Sequence, residues 1–349
     1  MDFVNAANLI LIELSYIINI YSEKTYIKGH VINRDKVHKQ IKKSSKWKPI
    51  DVRIKYSDEL EYIIKTIKEK LPYVDLTFMN NNLEDLVIAE KNKLNKYNKR
   101  SVYTTMGSYG DIENAIFLRK NNGDKSLSHE FLHMCSAFNQ GKIQYCGFFQ
   151  RHPNNFNIGK GLNEGFTSYL DKKLFGGKDT YYYIQPYIQA LIKIVGEEEL
   201  TKYYFRADLN GLINHLSQYI KDSYVYRFIE NIDKLLNIIS NASTVTKKND
   251  KHQATIDRIM EENERILLNI YTNKIKMKFS ELGMKDGDEV DVSNEYMDFV
   301  NSFVSNMDIY NLKLDFVNIK VLEDELSKHF QVNNFEFEEV VEEDVKHKM

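Results

Sequence analysis

The sequence predicts an α+β protein, mostly helical, with a small β-sheet ahead of its central helix. Three observations support this. The chain of 349 residues has only 4 Pro, and it is rich in Ile, Lys, Glu and Leu, which favours helices. Apolar residues recur at helical spacing over several long stretches. One short apolar run, Ala115 to Leu118, follows a glycine-rich segment and reads as a strand.

Length and composition bound the rest. Apolar residues make up 42% and charged residues 28%, which fits a globular chain with a real core and not a disordered one. The formal net charge of −2 implies no global attraction to nucleic acid or to an anionic membrane. Charge is uneven, however. Lys39, Lys42, Lys43, Lys46 and Lys48 lie in a basic segment over 24–56, and Glu336, Glu338, Glu339, Glu342, Glu343 and Asp344 make an acidic tail. Solvated faces are the plain reading of both. Contact between the two ends, or with an anionic partner, is the alternative. The two cysteines, Cys135 and Cys146, make no disulfide framework and read as reduced core thiols.

In chain order, Phe3 to Tyr21 is apolar but carries Glu13, Asn5, Asn8 and Asn19, with no basic residue before it and no evident cleavage site. It reads as an amphipathic helix over 3–22, neither a membrane span nor a signal peptide, so a cytoplasmic location is expected. An extended stretch follows near 25–32. Ser57 is the expected N-cap of a helix running to Lys70 and stopped by Pro72. Residues 83–98 carry another helical pattern. Gly107-Ser108-Tyr109-Gly110-Asp111 reads as turns, with a strand over Asn114 to Arg119. Two helices are expected at 126–139 and 161–175, ended by Gly141 and by Gly176-Gly177. Helical patterns continue to 240. A polar linker spans 241–251, a long helix 253–281, and a loop 285–288 precedes a helical remainder. The expected organisation is a helical N-terminal region over 1–100, a catalytic domain over 101–240 and a helical C-terminal region over 252–349.

Residues 129–133 read His-Glu-Phe-Leu-His. Two His four positions apart share one helix face, so His129 and His133 can meet at one metal ion. Glu130 lies beside that ion and can accept a proton from water. A catalytic metal needs a third protein ligand and an open position. Residues 161–170 read Gly-Leu-Asn-Glu-Gly-Phe-Thr-Ser-Tyr-Leu, and Glu164 on this second helix is the candidate. Leu162, Phe166 and Leu170 mark its buried face.

His-Glu-x-x-His followed by Leu-Asn-Glu-Gly-Phe-Thr resembles the gluzincin zinc metallopeptidases, and the second motif is similar to the Asn-Glu-Gly motif of the zinc aminopeptidases in that class. The resemblance implies a zincin-like catalytic domain and one catalytic Zn2+ held by His129, His133 and Glu164. It implies Glu130 as general base and a protein or peptide substrate; the net charge of −2 gives no reason to expect a nucleic-acid partner. The residues 134–163 between the motifs form a longer separation than in the compact members. It is reminiscent of the clostridial neurotoxin light chains. Where the thermolysin-like pattern has an Asp one turn after the Glu ligand, this chain has Ser168; Ser168 and Thr167 are the candidates for orienting a ligating His. Tyr181, Tyr182, Tyr183, Tyr187 and His215 are all available as an oxyanion donor, and the sequence does not choose among them. Ala115 to Leu118 is the candidate edge strand for an extended substrate. His152 is a weak rival ligand. No convincing acidic motif for a free amine is present, which favours an endopeptidase. The alternatives are a regulatory peptidase of a phage or mobile element acting on one partner, and a non-enzymatic helical interaction protein.

Overall fold

A computed structural model describes residues 56–91, 106–119, 126–153, 156–178, 180–242 and 250–285, with residue 39 and the pairs 48–49, 289–290 and 331–332. The helix and extended stretch read over 3–32, most of the basic segment, residues 243–249 of the linker read over 241–251, and the acidic tail lie outside the described residues; 241–242 and 250–251 are helical.

Helix α1, Ser57–Lys70, buries Leu60, Ile63 and Ile67 at helical spacing. Asp58 and Glu59 open it and Lys68 and Lys70 close it, in the order the helix dipole favours. Ser57 is not its cap. Tyr56 holds that position without a side-chain cap, and the Ser57 hydroxyl turns instead to Asp58. Of the helical pattern over 83–98, residues 92–98 lie outside the described residues, and 83–91 does not form as read. Helix α2 spans Thr77–Leu83, and Val87–Lys91 is a strand, β2. Pairing in a sheet overrides the local helix preference there.

That sheet is mixed, with strand β1 at Lys48–Pro49, β3 at Gly107–Gly110 and β4 at Ala115–Arg119, in the order β1-β2-β4-β3. Strand β4 pairs in parallel with β2, Val87 opposite Ala115, and antiparallel with β3, Gly107 opposite Leu118. Strand β4 is therefore interior. Among the described residues the terminal strands are β1 and β3, the latter being the stretch read as turns, so the substrate-edge assignment to Ala115–Leu118 is corrected.

Helix α3, Leu127–Cys135, ends before residue 139. The chain turns directly into a second sheet: β5 at Ala137–Gln140, β6 at Ile143–Cys146, β7 at Phe149–Arg151 and β8 at Asn157–Ile158, antiparallel throughout. Gly141 does not end a helix. With φ of 62° it opens the two-residue β5–β6 turn, where a left-handed residue is required.

Helix α4, Lys160–Phe175, carries the second motif and ends at Gly176 with φ of 70°. The N–H of Gly176 donates to the Lys172 carbonyl and that of Gly177 to the Asp171 carbonyl. Helices α5 (Gln185–Val195), α6 (Glu197–Phe205), α7 (Leu209–Leu216) and α8 (Asp222–Ala242) follow, then the long α9 (Asp250–Glu281). Beyond it, β9 (Glu289–Val290) pairs in parallel with β10 (Gln331–Val332), within a stretch read as helical.

One buried cluster runs from Tyr56 to Ile275. Helix α4 sits at its centre. Phe166 contacts the rings of Phe148, Tyr169 and Tyr204. Gly165 is small for a packing reason: a Cβ there would meet Ile184 Cγ2 at 2.5 Å, so its absence lets α5 lie against α4. Among the described residues, no helix is long and apolar enough to cross a membrane.

Candidate metal centre

Helix α3 is buried on nearly all sides. Leu127, Phe131, Leu132, Met134 and Cys135 are buried with both motif imidazoles and Glu130. Burying two imidazoles and a carboxylate is costly unless they are paired or ligated, and α4 crosses at the place that supplies the partner.

Three donor atoms converge there. His129 Nε2 lies 3.2 Å from His133 Nε2, and Glu164 Oε2 lies 3.4 Å from each. These are the atoms that an ion would draw together. A tetrahedral ion with bonds of about 2.0–2.1 Å separates its ligand atoms by about 3.3–3.4 Å. The triangle has that size, and two imidazole nitrogens with one carboxylate oxygen suit zinc and its first-row neighbours.

Without a cation the three groups stabilise one another. Burial would raise the Glu164 carboxyl, but the charge of His133 and hydrogen bonds from both imidazoles hold it well below the usual carboxylate range. Burial would lower His133, and the Glu164 carboxylate beside it outweighs that and raises it. Glu130 is pushed up by burial, with His129 and His133 acting against it. Its carboxyl also takes a backbone hydrogen bond from Tyr109 on β3, so the motif glutamate and this terminal strand are neighbours.

The two residues proposed to orient a histidine separate clearly. Thr167 Oγ1 lies 3.4 Å from His133 Nδ1. The Ser168 hydroxyl is buried with no hydrogen-bond partner and orients neither imidazole. Asn163 and Thr167 are four apart and share the α4 face turned to His133, whereas Ser168 is one step round. Asn163, unremarked in the sequence beyond its motif, places Nδ2 3.2 Å from His133 Nδ1 and accepts the Phe148 N–H on Oδ1 at 3.1 Å. Ser128 donates to Asp171, a second tie between α3 and α4.

Of the aromatic candidates, Tyr181 reaches the site. Its ring lies 6.1 Å from that of His129 at an interplanar angle of 28°. Its phenol is pushed well above its ordinary range by burial and by Glu164, to which it is hydrogen-bonded. Tyr182 is exposed, and Tyr183 and Tyr187 are in the core. His215 packs against Tyr203 and Tyr219. His152 packs on Phe156 and is not among the converging groups. Cys135 and Cys146 are free and buried. Tyr204, which backs Thr167 at 2.8 Å, had no signal in the sequence.

No protein-family model, curated protein or solved structure matches this chain.

Proposed function

We propose that this chain is a zinc-dependent peptidase of the gluzincin type. In this reading His129, His133 and Glu164 hold the ion and Glu130 is the general base. The observation that carries the reading is the donor triangle of 3.2–3.4 Å, which matches a tetrahedral zinc on residues spaced as the two motifs require. The mixed sheet with an antiparallel edge strand beside the motif helix supports a zincin-like catalytic unit.

A zinc ion bound there supplies Lewis acidity toward a substrate carbonyl and lowers the pKa of water. The chain's own residues do the rest. The outer side of β3, Gly107–Gly110, runs beside Glu130, to which the Tyr109 N–H is bonded, and is the strand against which an extended peptide would pair. Pairing along a strand engages the interior of a chain, which favours an endopeptidase. Glu130 takes the proton of the attacking water and delivers it to the departing amine. Its raised carboxyl makes it a stronger base than an exposed glutamate. The Tyr181 phenol, already hydrogen-bonded at the Glu164 carboxylate, is the donor placed for the oxyanion.

The test is zinc content of the purified chain together with hydrolysis of a quenched-fluorescence peptide library, with Glu130→Gln alongside. One zinc per chain and turnover lost in Glu130→Gln is the expected result. A zinc-free chain, or turnover unchanged in Glu130→Gln, contradicts the proposal.

A further inference from the structure

Three groups face Nδ1 of His133: the Asn163 amide nitrogen at 3.2 Å, the Thr167 hydroxyl at 3.4 Å and the Cys146 thiol at 3.7 Å. None of them is charged. Their donor and acceptor roles are constrained by their other partners. The Phe148 N–H donates to Asn163 Oδ1 at 3.1 Å, which fixes the amide so that only its NH2 points at the ring. An NH2 donates and cannot accept, so Asn163 serves a ring whose Nδ1 is bare. The Thr167 hydroxyl spends its proton on the Asn163 carbonyl at 2.7 Å. Tyr204, 2.8 Å from Thr167 Oγ1, must therefore be the donor of that bond. Thr167 keeps an oxygen lone pair for Nδ1. The Cys146 thiol donates to the His133 carbonyl at 3.4 Å, and its sulfur is only a weak acceptor.

A neutral imidazole that turns its Nε2 lone pair to a cation carries its proton on Nδ1 and needs an acceptor there. We infer that Thr167, with its proton committed to Asn163 and its hydroxyl propped by Tyr204, is the positioning residue that takes the His133 Nδ1 proton and frees Nε2 for the cation. Asn163, as a donor, suits only the neutral ring protonated at Nε2. The two residues, one turn apart on α4, set an acceptor and a donor against the same ring nitrogen. A pair of hydroxyls does here what a carboxylate does in the thermolysin-like pattern. The inference rests on the proposed metal site.

The test reads the histidine and the metal, not turnover. In zinc-loaded full-length chain labelled with 15N-histidine, two-bond proton–nitrogen spectra should show His133 protonated at Nδ1 and ligated through Nε2. Zinc affinity, measured by competition with a chromophoric chelator, should fall about 10–100-fold in Thr167→Val. It should fall in the same direction in Tyr204→Phe and return close to the native value in Thr167→Ser. If the native chain takes up no zinc, the metal-site reading itself is lost and this inference with it. If the native chain binds zinc but His133 ligates through Nδ1, or Thr167→Val binds as tightly as the native chain, the metal site stands and the role of Thr167 is overturned. The spectrum of the native chain decides the matter even where a variant does not fold.

Discussion

The Asp233 carboxylate on α8 accepts the backbone N–H of Gly161 at 2.6 Å, and its other oxygen accepts that of Gly159 at 2.8 Å. Helix α4 has no side-chain cap of its own, since Gly159 occupies that position. A residue distant in sequence thus satisfies the first N–H groups of the helix that carries Glu164, and places a carboxylate at the positive end of its dipole. Asp233→Ala should leave these donors buried and unpaired, and cost about 1–3 kcal/mol. Urea titration of the variant checks this.

The same contact has a pH signature. Burial pushes the Asp233 carboxyl up to about 6, against the two backbone hydrogen bonds. The folded chain therefore holds this proton at a pH where the unfolded chain has released it. The stability tied to Asp233 is full below about pH 4 and is lost as pH rises toward about 6. Subtracting the stability of Asp233→Asn from that of the native chain across this window should give a difference that falls with rising pH.

Tyr181→Phe removes a phenol beside Glu164 and keeps the ring against His129. If this phenol stabilises the oxyanion, kcat should fall about 100- to 1000-fold while zinc content is unchanged. Loss of zinc without a change in kcat per bound zinc would assign Tyr181 to metal retention instead.

Gly107 lies where β3 passes the motif helix. A Cβ there would sit 2.4 Å from Ser126 Oγ and 2.9 Å from Glu130 Cγ, closer than real side chains approach. Gly107→Ala should force the edge strand away from Glu130 at a cost of about 1–3 kcal/mol. Peptide hydrolysis should drop while zinc remains bound, as thermal melts and metal analysis on the same sample would show.

Glu164→Ala removes the one anionic donor of the triangle. Zinc affinity should fall by more than the roughly 10–100-fold expected for a supporting hydrogen bond such as that of Thr167. Chelator competition run on both variants gives the comparison directly.

What was legible in the sequence was local. His129 and His133 share a face because four residues make about one helical turn, and the glycines after Phe175 announce the end of α4. What was hidden depends on pairing between distant segments. Gly107–Gly110 looks like turns until β4 is beside it, and Val87–Lys91 has a helical pattern until Ala115–Arg119 pairs with it. Whether Thr167 or Ser168 faces His133 depends on how α4 crosses α3, which spacing along one helix does not encode. With 23 Tyr in the chain, only the fold could single out Tyr181 and Tyr204.

The central claim is that two imidazoles and one carboxylate hold a zinc ion with a position left for water. The zinc K-edge absorption spectrum of the purified protein tests it most directly. The account predicts four nitrogen or oxygen neighbours at about 2.0–2.1 Å, two of them with the outer-sphere pattern of imidazole, and no sulfur. A sulfur neighbour near 2.3 Å, which would bring in Cys146, or a single imidazole contribution, would contradict it.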